Sequence, residues 1–134
     1  MSTLLLHSVS YAGFWGQPAL NVEQFLDKAA ELGFGGVMLA AKRPHVGILD
    51  YNKAARTRLR NRMEKLQLRD LCLAGYCNLT ADIDHTDIPT LEIQTSYLVE
   101  LARLASDLGG NMVRVFTGYE NPAQDYTCLL YTSD

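Results

Sequence analysis

Hydrophobic positions follow two periods along this chain, and each change of period marks a new element. Residues 4–9, Leu-Leu-Leu-His-Ser-Val, form a short apolar run that predicts a first strand. Asn21 then offers a helix N-cap, with Gln24 three residues on in capping-box position. Val22, Phe25, Leu26, Ala29 and Ala30 follow at i, i+3, i+4, i+7 and i+8, the stripe of an amphipathic helix, and Gly33 supplies its stop. Gly36-Val37-Met38-Leu39-Ala40 is a continuous apolar run, as expected of a strand covered on both faces. A second helix is predicted over residues 52–66, with Ala55, Leu59, Met63 and Leu66 on one side. Residues 71–76 make a third strand. A third helix starts near Pro89 and turns Ile93, Tyr97, Leu98, Leu101, Leu104, Ala105 and Leu108 inward. Residues 112–116 make a fourth strand.

The predicted order is β-α-β-α-β-α-β, and helix-length crossovers require parallel strands. Successive strands begin 32, 35 and 41 residues apart, with no linker to divide the chain. A doubly wound open sheet accommodates four such strands, as a complete small domain that binds a ligand or partner without catalysis. A (β/α)8 TIM barrel takes eight units and roughly 250 residues, so as a barrel this α/β chain is an N-terminal half, four parallel strands with three to four helices over residues 1–125. Residues 126–134 show no helical stripe or cap. They resemble translated adapter sequence, which predicts a non-native or disordered tail.

Composition narrows the class. Apolar residues make 48% and charged residues 20% of the 134, which excludes a disordered chain. A net charge of −3 argues against a nucleic-acid partner. Seven of the twelve basic residues fall in or beside the second helix, spread around it as a solvated outer face. The three cysteines include no CxxC pair, and no apolar run approaches the ~20 residues of a membrane span. A cytoplasmic protein that does not engage a membrane is expected.

Three segments carry a resemblance: Ser8-Val9-Ser10-Tyr11 on the first strand, Lys42-Arg43-Pro44-His45 after the second, and Arg114-Val115-Phe116-Thr117-Gly118-Tyr119 at the fourth. In their order and placement at strand ends they resemble the sugar phosphate isomerase/epimerase group of the xylose isomerase-like TIM barrels, over residues 3–125. The resemblance implies proton transfer beside the carbonyl of an open-chain sugar or sugar phosphate, assisted by a divalent metal (Mn, Mg or Co). It places the metal ligands on later strands, so no ligand or catalytic residue is assigned here, and it implies that the chain alone is inactive.

Barrel sites lie at the C-terminal ends of the strands, and the candidate substrate-binding residues follow from that. Tyr11 and Trp15, with Phe14, form either a stacking wall of the pocket or a small core within their loop. Arg43 and His45 follow the second strand and are either pocket residues or solvated loop. Asn78 either bonds a substrate hydroxyl or shapes a turn. Arg114 is a charge inside a strand, which needs a partner or a polar barrel interior. Glu120 is either a solvated loop residue or a ligand group, and His7 points inward or is a satisfied core histidine. The resemblance also extends to AP-endonuclease-type DNA repair enzymes, but Tyr76, Cys77 and Asn78 stand where those carry a second histidine. Unpaired edges on the first and fourth strands predict self-association.

Overall fold

The computed structural model describes residues 3–85 and 87–119. Strands β1 (Leu5–His7), β2 (Gly36–Ala40), β3 (Asp70–Ala74) and β4 (Met112–Arg114) alternate with helices α1 (Val22–Glu31), α2 (Lys53–Lys65) and α3 (Thr90–Asp107). All strand pairs are parallel, in the spatial order β1-β2-β3-β4. A doubly wound sheet reverses its strand order and takes helices on both faces. Here each strand lies beside its predecessor, and α1 packs on α2 and α2 on α3. Right-handed crossovers in such a sheet put every helix on one side. That is barrel winding, and it excludes the doubly wound alternative.

The helices form where their caps and stripes require. Asn21 accepts from the Gln24 N–H at 2.9 Å while the Gln24 side chain accepts from the Asn21 N–H at 3.0 Å, a complete capping box. Val22, Phe25, Leu26 and Ala29 are buried beneath α1. Asn52 caps α2, and Leu59 and Met63 are its buried residues. Gly33 and Gly109 take the left-handed conformation just past α1 and α3, while Gln67 does so past α2 without the freedom of glycine.

Several predicted boundaries shift. β1 stops at His7 because Ser8–Tyr11 wind into a single 3-10 turn, in which the His7 imidazole accepts the Val9 N–H. β3 ends at Ala74 and β4 at Arg114, each two residues short of the expected end. Pro89 is the N-cap of α3 and not a first-turn residue, and it supplies no side-chain cap. Ile93 is 60% exposed, since the buried stripe of α3 begins further along the helix, with Leu101, Leu104 and Ala105. The basic residues of α2 are more than a solvated face: Arg62 reaches Asp27 on α1 and Arg56 reaches Asp107 on α3, bracing the three helices. Glu120 and the tail 126–134 lie outside the described residues.

Strand residues divide by parity. Val37, Leu39, Leu71 and Leu73 are buried against the helices, with Leu6 and Val113 packed beside them. The opposite face carries three rows in register: Leu5, Gly36 and Asp70; then His7, Met38, Cys72 and Met112; then Ala40, Ala74 and Arg114. Among the described residues no helix is long and apolar enough to cross a membrane.

Gly36 holds the tightest approach in the sheet. A Cβ there would stand 2.1 Å from the Asp70 carbonyl oxygen and 2.7 Å from a Leu5 methyl. Both neighbours belong to paired strands, so relief requires backbone movement. Gly36→Ala is expected to cost about 1–3 kcal/mol, read as a lower urea midpoint with an unchanged slope.

Candidate functional site

The face of the sheet away from the helices ends, at the strand C-termini, in a ladder of aromatic rings and cations. Lys42, Tyr76 and Phe116 each lie four residues beyond Met38, Cys72 and Met112, which share one row. Continuing the two-residue period past the strands therefore brings them to the same face. Lys42 Nζ sits 4.0 Å from the centre of the Tyr76 ring and 5.1 Å from that of Phe14. Arg114 Cζ sits 4.1 Å from the Phe116 centre and 5.4 Å from the Tyr76 centre. Phe116 continues to Tyr119, centroids 5.9 Å apart. All four strand ends contribute. Ala40 and Ala74, small residues in the same row as Arg114, leave room for its long side chain.

His7 lies one row below Arg114 on this face. Its Nδ1 accepts from Val9 N–H at 3.0 Å, which assigns the proton of the neutral ring to Nε2. Burial, followed by the charges of Arg114 and His45, pushes its pKa below the ordinary histidine value. A neutral imidazole presenting an N–H is a hydrogen-bond donor suited to a carbonyl or hydroxyl oxygen.

The tips of the strands are tied to one another. Tyr97 Oη donates to the Ala41 carbonyl at 3.2 Å and accepts the Tyr76 N–H at 3.4 Å. The buried Cys77 thiol donates to the Phe116 carbonyl at 3.0 Å. Asn78 Oδ1 accepts from Thr80 N–H, Thr80 Oγ1 and Tyr119 N–H, joining the loops after β3 and β4.

The predicted candidates thus separate. Arg114 stands in the ladder, and exposed Trp15 packs edge-on against Phe14 at its border. Tyr11 is turned to the core, its ring 6.1 Å from Phe25. Asn78 serves the loop junction. Arg43 points to the outer rim, where it makes two hydrogen bonds to Asp50; that pairing holds the Asp50 carboxyl below and the Arg43 guanidinium above their ordinary values. A cavity of about 490 Å³ lies at that rim between Asn21, Arg43, Tyr51 and Arg58. Glu120 is outside the described residues. Lys42, Tyr76 and Phe116 are not among the candidate binding residues read from the sequence, although Lys42 and Phe116 lie in segments that carry the resemblance and all three share the parity of the strand rows.

His45 lies beneath the mouth, only 4% exposed. Ser8 Oγ accepts the Ala40 N–H at 2.8 Å and donates to His45 Nδ1 at 3.1 Å, while His45 Nε2 donates to the Leu20 carbonyl at 3.3 Å. Both ring nitrogens are spent on joining the turn after β1, the end of β2 and the approach to α1. Among the described residues no group of three His, Cys, Asp or Glu side chains is placed to hold a metal ion. The described residues therefore do not fit the divalent ion that the sequence resemblance implies.

A family model for the xylose isomerase-like TIM barrel matches residues 26–131. The chain belongs to that family. No curated protein matches it.

Burial lowers the pKa of His45, partly offset by the Leu20 carbonyl, and that of His7. A histidine depressed in the folded state leaves stability intact above the unfolded value near 6.5, where both states are neutral. Below it the unfolded chain takes up protons first, and stability falls as pH drops toward the folded pKa. The urea midpoint is expected to fall from pH 7 to pH 5. His45→Gln should lower the midpoint at pH 7 and shrink the acid-induced drop.

Proposed function

We propose that the ladder mouth is the substrate-binding wall of a cytoplasmic sugar or sugar phosphate isomerase or epimerase that works by proton transfer beside a carbonyl. The observation that carries this reading is the convergence of His7, Lys42, Tyr76, Arg114 and Phe116 on one face at the strand C-termini, the end at which barrel enzymes place their sites. Rings such as Tyr76 and Phe116 suit the apolar face of a sugar, while the His7 Nε2–H suits one of its oxygens.

In this reading the described residues bind and orient. Tyr97 and Cys77 fix the backbone on either side of Tyr76, and Arg114 helps to keep His7 uncharged, so that Nδ1 keeps accepting the Val9 N–H and Nε2–H is the ring's donor. The proton-moving carboxylates and the metal ligands belong, by the sequence resemblance, to strands beyond these four. The DNA-repair reading lacks support in the third loop, where Tyr76, Cys77 and Asn78 have structural bonds of their own.

Nuclear magnetic resonance of the labelled chain with an unmodified open-chain ketose tests the reading. Saturable shifts are expected at His7, Tyr76, Arg114 and Phe116, and weaker ones at Arg43 and Arg58 on the outer rim. No interconversion is expected on addition of Mn²⁺, Mg²⁺ or Co²⁺. Shifts confined to the rim, or absent, would remove the sugar-pocket assignment; turnover by the chain alone would remove the assignment of the reacting groups to other strands.

A further inference from the structure

The twelve lysines and arginines all lie among the described residues, and their partners set two of them apart. Lys28, Arg43, Arg56, Arg60, Arg62 and Arg103 each form an ion pair. Lys53, Arg58, Lys65 and Arg69 have no ion pair there but are exposed, where water solvates the charge. Lys42 and Arg114 alone are half-buried without an ion pair among the described residues, and they share the Tyr76 ring.

Two like charges gathered on one ring repel, more strongly where water is partly excluded. Ring faces attract each cation but supply no net negative charge. Asp70, the carboxylate on this face of the sheet, belongs to the first row, at the opposite end of β3. Among the described residues, neither Lys42 nor Arg114 has an ion pair to a carboxylate. A neutral polyol needs a mixture of donors and acceptors, whereas this set is completed by an anion.

We propose that Lys42 and Arg114 form a subsite for the anionic end of a substrate, a phosphate monoester or a carboxylate that draws on both charges. This rests on the reading of the mouth as a sugar pocket. Arg114 offers a planar fork that matches two oxygens of such a group, and Lys42 offers a compact charge beside the same Tyr76 ring. Tyr76 acts as a positioning residue: its ring locates both cations, and its own backbone is held by Tyr97. Ala40 and Ala74 supply the space that bulkier neighbours of Arg114 would fill.

Calorimetric titration of the full chain with four probes tests this: a hexose 6-phosphate, the aldonate of the same hexose, the unmodified hexose, and inorganic phosphate. The phosphate ester is expected to bind at least tenfold more tightly than the unmodified hexose. Lys42→Gln and Arg114→Gln should each abolish that preference, while Lys42→Arg and the rim variant Arg43→Gln keep it, with near-ultraviolet circular dichroism confirming the fold. An aldonate equal to the ester assigns the subsite to a carboxylate; a weaker aldonate assigns it to a phosphate. Equal binding of ester and hexose, or a preference that survives both glutamine variants, overturns the inference and leaves the sugar pocket standing. Inorganic phosphate held by Lys42 and Arg114 with no sugar bound supports the anion subsite and removes the sugar reading.

Discussion

One constraint organises this molecule: four parallel strands in sequential order, each reached by a crossover of the same hand, must put all their helices on one side. The two faces of the sheet then carry different burdens. Toward the helices, Val37, Leu39, Leu71 and Leu73 are buried in an apolar layer and the chain gains its hydrophobic stabilisation. Away from them the same strands carry His7, Met38, Cys72 and Arg114. That face is free to hold polar chemistry because the core does not depend on it. A single parity shift in any strand would exchange the two sets and ruin both.

The mouth of the second face is held by hydrogen bonds from buried or half-buried groups, which prepares it for a ligand. Ser8 and His45 join the turn after β1 to the end of β2, Tyr97 joins β2 to β3, and the Cys77 thiol joins β3 to β4. Each bond crosses a different gap between neighbouring strand ends, so displacing one ladder residue strains its neighbours. Removing such a partner leaves a desolvated donor or acceptor, at a cost of about 1–3 kcal/mol. A site framed in this way loses little conformational entropy on binding.

Most of the fold was legible because its signals are local. The Asn21 and Gln24 capping box, the stripe of α1 and the run Gly36–Ala40 each sit within a dozen residues, and all three stand as expected. The family too was legible from short segments at the strand ends. What the sequence could not show depends on distant partners. His45 looked like a pocket residue by its position, but its ring is bonded to Ser8, 37 residues away. β1 was expected to run to Val9, yet Ser8 spends its hydroxyl on Ala40 and turns the chain. Arg114 was legible as a charge inside a strand. Lys42 and Tyr76 were not, because neither is unusual until the register sets one over the other.

Placement therefore says more about function than charge count does. The net charge is negative, and most cations cluster in and beside α2, a pattern that by itself suggests only a solvated helix. There Arg56 and Arg62 answer carboxylates on the flanking helices, and Arg60 answers Glu64 on its own helix. Such pairs, each with a carboxylate open to water, contribute roughly 0–1 kcal/mol apiece, so they tune helix packing and commit the protein to no ligand. Lys42 and Arg114 are two charges among twelve, yet they are half-buried, set on rings, and lie where the winding of the sheet gathers four strand ends. Keeping them apart from every described carboxylate forgoes pairing that the rest of the chain uses freely. The rings attract the two cations but leave their charge unneutralised, and a bound anion would neutralise it.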